Sequence, residues 1–233
     1  MIGEVVVVVP AADEQDRIGA CLDALCVARG ALAVARPRLG VRMVVVLDDC
    51  TDATGAVVAS FPGVEVVSCG FRRVGAARAY GVTHVLSDGG RLDRLWLAST
   101  DADSQVPADW FVTMVALAEQ GADLVLGTVL PGRAEDGAPW TSELDAAWRA
   151  QHLRQEGHPH VHGANLGIRA SAYTALGGWP PVATGEDVLL ATRAAARPDV
   201  RVVRTARIPV STSVRRVGRA PEGFSSYLRG LAG

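Results

Sequence analysis

The residues of this chain best suited to chemistry are two acids one position apart. The apolar run Leu95 to Ala98 passes through Ser99-Thr100 into Asp101-Ala102-Asp103, and Pro107 then opens a helix-like segment. In an open α/β sheet, ligands gather beyond the carboxyl ends of the strands, in the crevice where strand order switches. Two carboxylates placed there, with no basic neighbour in sequence, repel each other unless a cation sits near them. Their oxygen ligands suit a hard divalent ion such as Mn2+ or Mg2+. The alternative is that Asp103 caps the following helix and Asp101 is a solvated turn residue. His158, His160 and His162 alternate and would share one face if extended. A zinc site there lacks a clear fourth ligand, and a surface loop is the other reading.

The elements that must position these side chains alternate along the first half. Glu4 to Val9 is a valine run closed by Pro10, as expected of a strand buried on both faces. Ile18, Leu22, Leu25 and Leu32 then recur at helical spacing up to Pro37–Gly40. Val41 to Leu47 is a second strand that stops at Asp48-Asp49, and Thr51 or Asp52 would cap the helix beyond it. Val64 to Ser68 predicts a third strand, with a helix entered through Gly75. Arg94 to Ser99 predicts the fourth, Pro107 to Gln120 a helix and Asp123 to Val129 a fifth strand. Five strand-then-helix units indicate a parallel sheet with right-handed crossovers, an α/β fold. The pattern weakens from Pro131. Pro131 to Pro139 reads as a connector, Thr141 to Gln155 as a helix and Gly163 to Arg169 as a short strand. Gly177 to Pro181 reads as a turn and Glu186 to Ala196 as a helix, with late strands at Val200–Val203 and Arg207–Ser211. One domain over 1–233 is expected, with a nucleotide-side half (1–130) and a smaller half (131–233).

Composition narrows the classes. Hydrophobic residues make up 49% of the chain, enough for a well-buried core. All 23 basic residues are arginine, which excludes lysine Schiff-base chemistry and a P-loop lysine. A net charge of −2 gives no support for nucleic-acid binding. Cys21, Cys26, Cys50 and Cys69 form no Cys-x-x-Cys pair, so they are expected to be reduced. No apolar run approaches the ~20 residues of a membrane span, and the start lacks a signal peptide's basic region. A soluble, cytoplasmic protein is expected. Gly223 to Leu231 places Phe224, Tyr227, Leu228 and Leu231 on one side, as a docking or homodimer helix would.

Several motifs stand in a recognisable order. Pro10-Ala11-Ala12-Asp13-Glu14 with Arg17-Ile18 resembles the opening Pro-x-x-Asn-Glu of glycosyltransferase family 2. Leu47 to Thr54 resembles that family's Asp-Asp-Gly-Ser-x-Asp-x-Thr segment, and Asp101-Ala102-Asp103 its metal-binding Asp-x-Asp. Gly163 to Arg169, Tyr173, Gly177-Gly178-Trp179 and Gly185-Glu186-Asp187 resemble its acceptor-side half. Asp13 stands where the family usually has Asn, and Cys50 where it usually has Gly. The Gln-x-x-Arg-Trp signature of processive synthases is absent, which favours a single transfer.

The resemblance implies a GT-A fold, a Rossmann-like, mostly parallel sheet flanked by helices. It also implies inverting transfer of one sugar from a nucleoside-diphosphate sugar to a hydroxyl acceptor. Asp103, and less directly Asp101, would hold the cation, with His162 as a third ligand. Asp48 would accept a hydrogen bond from the base, and Glu14 a ribose hydroxyl or the base edge. Pro10, Ala11, Asp13, Ala102, Asn165 and Trp179 complete the substrate-binding set. Arg78 would approach the nucleotide or lie on a solvated face. Arg215, Arg216 and Arg219 would close over the pyrophosphate or form a basic tail. Asp187 would be the general base and Glu186 would orient the acceptor, unless the pair merely complements a helix dipole. A nucleotidyltransferase shares such a sheet but usually carries a Gly-rich loop after its first strand. A non-catalytic nucleotide-sugar-binding protein is the other alternative.

Overall fold

The computed structural model describes residues 1–132, 146, 148 and 156–214. Its centre is an eight-stranded sheet in the order β3-β2-β1-β4-β7-β6-β8-β5. The strands are β1 (Glu4–Ala11), β2 (Val41–Asp48), β3 (Val64–Cys69), β4 (Leu95–Ser99), β5 (Ser104–Gln105), β6 (Leu124–Pro131), β7 (Leu166–Arg169) and β8 (Val202–Thr212). The helices are α1 (Ile18–Ala35), α2 (Thr54–Ala59), α3 (Val74–Ser87), α4 (Trp110–Glu119), α5 (Ala170–Ala175) and α6 (Glu186–Ala195). Parallel pairing joins β3 to β2, β2 to β1 and β1 to β4.

The valine run of β1 shows why the strand carries no polar face. Val5, Val7 and Val9 belong to the core beneath α1, α2 and α4. Val6 and Val8 belong to the opposite core, beneath α3, α5 and α6. Because successive side chains point to opposite faces, both must be apolar when helices cover both sides. On α3, Gly81 lets the helix approach the sheet: a Cβ there would sit 2.6 Å from Val8 and 2.7 Å from Val46.

Two expectations are corrected here. The fifth strand does not extend the parallel set directly. The short strand β7 lies between β4 and β6 and is antiparallel to both. The two late strands are one strand, β8, running parallel to β6 with a register shift between Gly127 and Val129. Arg204 and Thr205, which separated the two predicted strands, stay in register with Leu126 and Gly127, and the irregularity falls between Thr205 and Val210. Helix α5 lay in a stretch read only as part of a motif. The predicted helix Thr141–Gln155 lies outside the described residues except for Ala146 and Trp148, and the helix Gly223–Leu231 lies wholly outside them.

Helix α1 bears on the membrane expectation. Its 18 residues have a mean hydropathy of 1.7, which by length and composition is enough to cross a membrane. Here it packs as a core helix, burying Ile18, Cys21, Leu22, Leu25, Ala28 and Leu32 along one face.

Candidate active site

The acids gather at the carboxyl ends of β1, β2 and β4. Ala102, between Asp101 and Asp103, is buried in the core on the α1 side, while both flanking acids stay partly exposed. The loop is pinned from behind. The Asp101 carbonyl accepts the Cys21 thiol and the Ser104 N–H. The β5 residue Ser104 pairs with Thr212 at the end of β8, and their buried hydroxyls lie 2.8 Å apart. Both hydroxyls also reach Asp103 Oδ1, at 3.3 Å from Ser104 and 3.4 Å from Thr212. Asp103 is therefore held by two distant parts of the chain. Sequence spacing carried no signal for Thr212, which is 109 positions away.

Arg78 is buried, not solvated. Its Nη2 donates to Asp101 Oδ1 and its Nη1 to Glu186 Oε1. The ring of Trp179 lies over the guanidinium, 5.2 Å from Cζ to the ring centroid. Burial works against the charge, but the facing carboxylates of Asp101, Glu186 and Asp187 outweigh it and hold the guanidinium pKa above its ordinary value. Glu186 is buried too. Burial pushes its carboxyl up from the ordinary glutamate range, against the pull of Arg78.

Asp187 follows on the first turn of α6, which Gly185 enters in the left-handed conformation (φ 75°). One carboxylate oxygen accepts the Gly163 N–H at 2.7 Å and the other the Val188 N–H at 2.8 Å. Asp187 stays partly exposed while Glu186 is buried against Arg78. The acid beside the crevice and the acid beneath it have different environments, which suits different roles.

The loops after β1, β2 and β3 form the other end of the crevice. Asp48 is buried, and its carboxylate accepts the backbone N–H groups of Phe71, Arg72 and Arg73. These bonds anchor the loop into α3, so a nucleobase would meet a carboxylate already engaged three times. Asp13, Asp49 and Arg72 all adopt positive φ (53°, 53° and 50°). Arg72 bridges the two acids, at 2.9 Å from Asp49 and 3.4 Å from Asp13. Asp13 also accepts the Thr51 N–H at 2.7 Å, which with the Thr51 hydroxyl and Arg72 holds its carboxyl below the usual range. Glu14 is buried, and its own N–H donates to Thr54 Oγ1. Pro10 and Ala11 are buried as the last residues of β1. Asp13, Cys50 and Asp52 bring three donor atoms within 4.8 Å of one another. Burial raises the Cys50 thiol pKa, and Asp52 is spent on Thr54 and Gln15, so local turn chemistry accounts for this cluster.

Asn165 is corrected from substrate ligand to structural pin. It is fully buried, accepts the Trp110 indole N–H, and donates to the carbonyls of Thr128 and Ile208. Those carbonyls flank the β6–β8 irregularity, and Gly127 leaves the space the amide fills. The three histidines form a row of stacked rings, with centroids 5.9 and 6.1 Å apart. His158 is buried against the Thr205 carbonyl, and among the described residues the three make no metal cluster. Arg215, Arg216 and Arg219 lie outside the described residues.

Residues 6–177 match the sequence profile of Glycosyl transferase family 2, which covers most of the chain and every strand from β1 to β7. The chain belongs to glycosyltransferase family 2. Its fold is GT-A. It aligns with Staphylococcus aureus TarS 1-349 in complex with UDP at TM-score 0.63 and 14% identity, over 91% of this chain and 61% of that one. It also aligns with the mannosyltransferase PcManGT of Pyrobaculum calidifontis in complex with GDP-Man and Mn2+, at TM-score 0.59 and 21% identity, over 92% and 58%. A third match is glucosyl-3-phosphoglycerate synthase of Mycobacterium tuberculosis with Mn2+, UDP and phosphoglyceric acid, at TM-score 0.54 and 18% identity, over 86% and 67%. The chain thus spans about three fifths of the length of TarS 1-349. No curated protein sequence matches it.

Proposed function

We propose that this family 2 protein transfers one sugar, with inversion at the anomeric carbon, from a nucleoside-diphosphate sugar to a hydroxyl-bearing acceptor. The observation that carries this reading is the meeting of the two acidic motifs at one guanidinium, Asp101 from one side and Glu186 from the other. Donor-side and acceptor-side acids therefore belong to one crevice.

The donor set fits a divalent cation of the Mn2+ or Mg2+ type: hard carboxylate oxygens two positions apart, both partly exposed beside a buried alanine. Asp103 would hold the ion, because Asp101 is already committed to Arg78. When bound, such an ion stabilises negative charge developing on the departing diphosphate. On the other side, Asp187 takes the acceptor hydroxyl's proton as its oxygen attacks the anomeric carbon from the face opposite the diphosphate. The Gly163 and Val188 N–H groups orient the Asp187 carboxylate for that task. Glu186, buried and paired with Arg78, is unsuited to exchanging protons with solvent and supports the geometry instead.

The test measures nucleoside-diphosphate release from UDP-glucose and GDP-mannose with Mn2+, with EDTA, and in Asp103→Ala, and identifies the product anomer by NMR. Turnover should need the metal, Asp103→Ala should abolish it, and the anomeric configuration should invert. Full activity in EDTA would remove the metal role, and a retained configuration would remove the single-displacement mechanism.

A further inference from the structure

Arg78 was expected either to contact the nucleotide or to face solvent, and the structure shows a third arrangement. Its side chain is 3% exposed, and both terminal nitrogens are committed to carboxylates. Its Nε is sealed from solvent and has no partner among the described residues. A diphosphate in the crevice would find this guanidinium buried and already shared between two carboxylates. We infer that Arg78 is a positioning residue that sets the separation between the donor-side loop and the acceptor-side acid pair without touching the sugar donor. This rests on the transferase reading above.

The surrounding residues are arranged for that purpose. Asp101 lies two positions before Asp103, and Glu186 one position before Asp187, so each end of the arginine grips the neighbour of an acid with a proposed chemical role. A second connection runs through Gly163. A Cβ at Gly163 would overlap the Arg78 guanidinium, and the Gly163 N–H is the group bonded to Asp187. Gly75, on the same helix as Arg78, lets Glu186 approach: a Cβ there would meet the Glu186 Cβ at 3.0 Å and its Cγ at 2.9 Å. Trp179 closes the remaining side. A guanidinium forks to two carboxylates at fixed angles, whereas an ammonium is a single point charge on a flexible stem. In-line transfer is sensitive to such spacing, since a misplacement of about 1 Å can cost about 10²-fold in rate. The arginine thus converts two loops far apart in sequence into one rigid frame.

The experiment uses the whole chain with Mn2+. Release of UDP or GDP from UDP-glucose and GDP-mannose gives kcat and KM, and calorimetry with UDP and GDP gives affinity. Gly163→Ala keeps the guanidinium but displaces it, and Arg78→Lys keeps the charge but loses the fork. Both should lower kcat by about 10²-fold while nucleoside-diphosphate affinity changes less than about threefold. Affinity falling in step with kcat would make Arg78 a donor ligand, and unchanged kcat in Gly163→Ala would remove the positioning role. Where Arg78→Lys fails to fold, the charge-balanced pair Arg78→Met with Glu186→Gln replaces it, with the same expectation. Wild-type protein that releases neither diphosphate would sink the transferase reading alone. The frame is then judged by hydrogen exchange: Gly163→Ala should speed exchange in both 100–105 and 184–189, and faster exchange in only one of these segments, or in neither, overturns it.

Discussion

At the scale of single residues, the chemistry divides between acids that are buried and acids that remain partly exposed. Asp48 and Glu186 are buried and spent on backbone N–H groups or on Arg78, whereas Asp101, Asp103 and Asp187 keep partial exposure while also accepting hydrogen bonds. Asp187→Asn keeps the shape and can still accept one of the two N–H groups, but it removes the proposed base. Turnover should fall by roughly 10²–10⁴-fold with donor affinity retained, as steady-state kinetics beside calorimetry would show. Parallel loss of affinity would make Asp187 a donor or structural residue. Asp13 supports a different expectation. Its carboxyl is held below the usual range, first by the Thr51 N–H. A lowered folded pKa contributes stability that is present above about pH 4 and lost as pH falls through the lowered value. Asp13→Asn, which installs the family's usual residue, should therefore flatten the acid limb of a melting-temperature profile below about pH 4. An unchanged acid limb would show that the ion-pair cluster adds nothing to folding.

At the scale of elements, close approach governs where the functional groups stand. Helix α3 carries Arg78 and reaches the sheet only because Gly81 has no side chain over Val8 and Val46. Gly81→Ala should overpack this contact, costing about 1–3 kcal/mol, with a fall in Tm of roughly 2–4 °C per kcal/mol. Calorimetric melting measures it, and an unchanged Tm would mean that the helix shifts without strain. Donor turnover should suffer as well, since the guanidinium rides on the same helix. The short pairing of β5 with β8 is the other contact of this kind. It brings Thr212 to Asp103 and so ties the end of the last described strand to the Asp101–Asp103 loop.

At the scale of the whole molecule, donor binding should be a property of folded protein and metal together. A ligand that binds only the native state at about 100 times its dissociation constant adds about 2.7 kcal/mol. Thermal shifts with UDP or GDP should therefore appear with Mn2+ and vanish with EDTA, and the larger shift identifies the preferred base. Equal shifts in EDTA would place the nucleotide elsewhere.

The division between what the sequence determined and what the tertiary structure decided follows from the range of the physics involved. The valine runs, the helical spacing of α1 and the acids ending β2 and β4 are local signals. Burial on two faces or on one stripe imposes a period that neighbours in sequence must obey. They sufficed for the α/β class, for most of the first six strand and helix positions, and for the resemblance to the family. The antiparallel insertion of β7, the merging of two predicted strands into β8 and the reassignment of Asn165 were not legible. Each depends on which strand edge is left to pair and on where an irregular ladder leaves carbonyls to satisfy. Arg78 is the sharpest case. From its neighbours it was an arginine on a helix, free to face water. Only the fold brings Asp101 and Glu186 against it, 23 and 108 positions away, and leaves glycine at 163 to make room. A buried guanidinium is tolerable only where carboxylates offset its lost hydration, and that compensation comes from chain segments that meet in three dimensions alone.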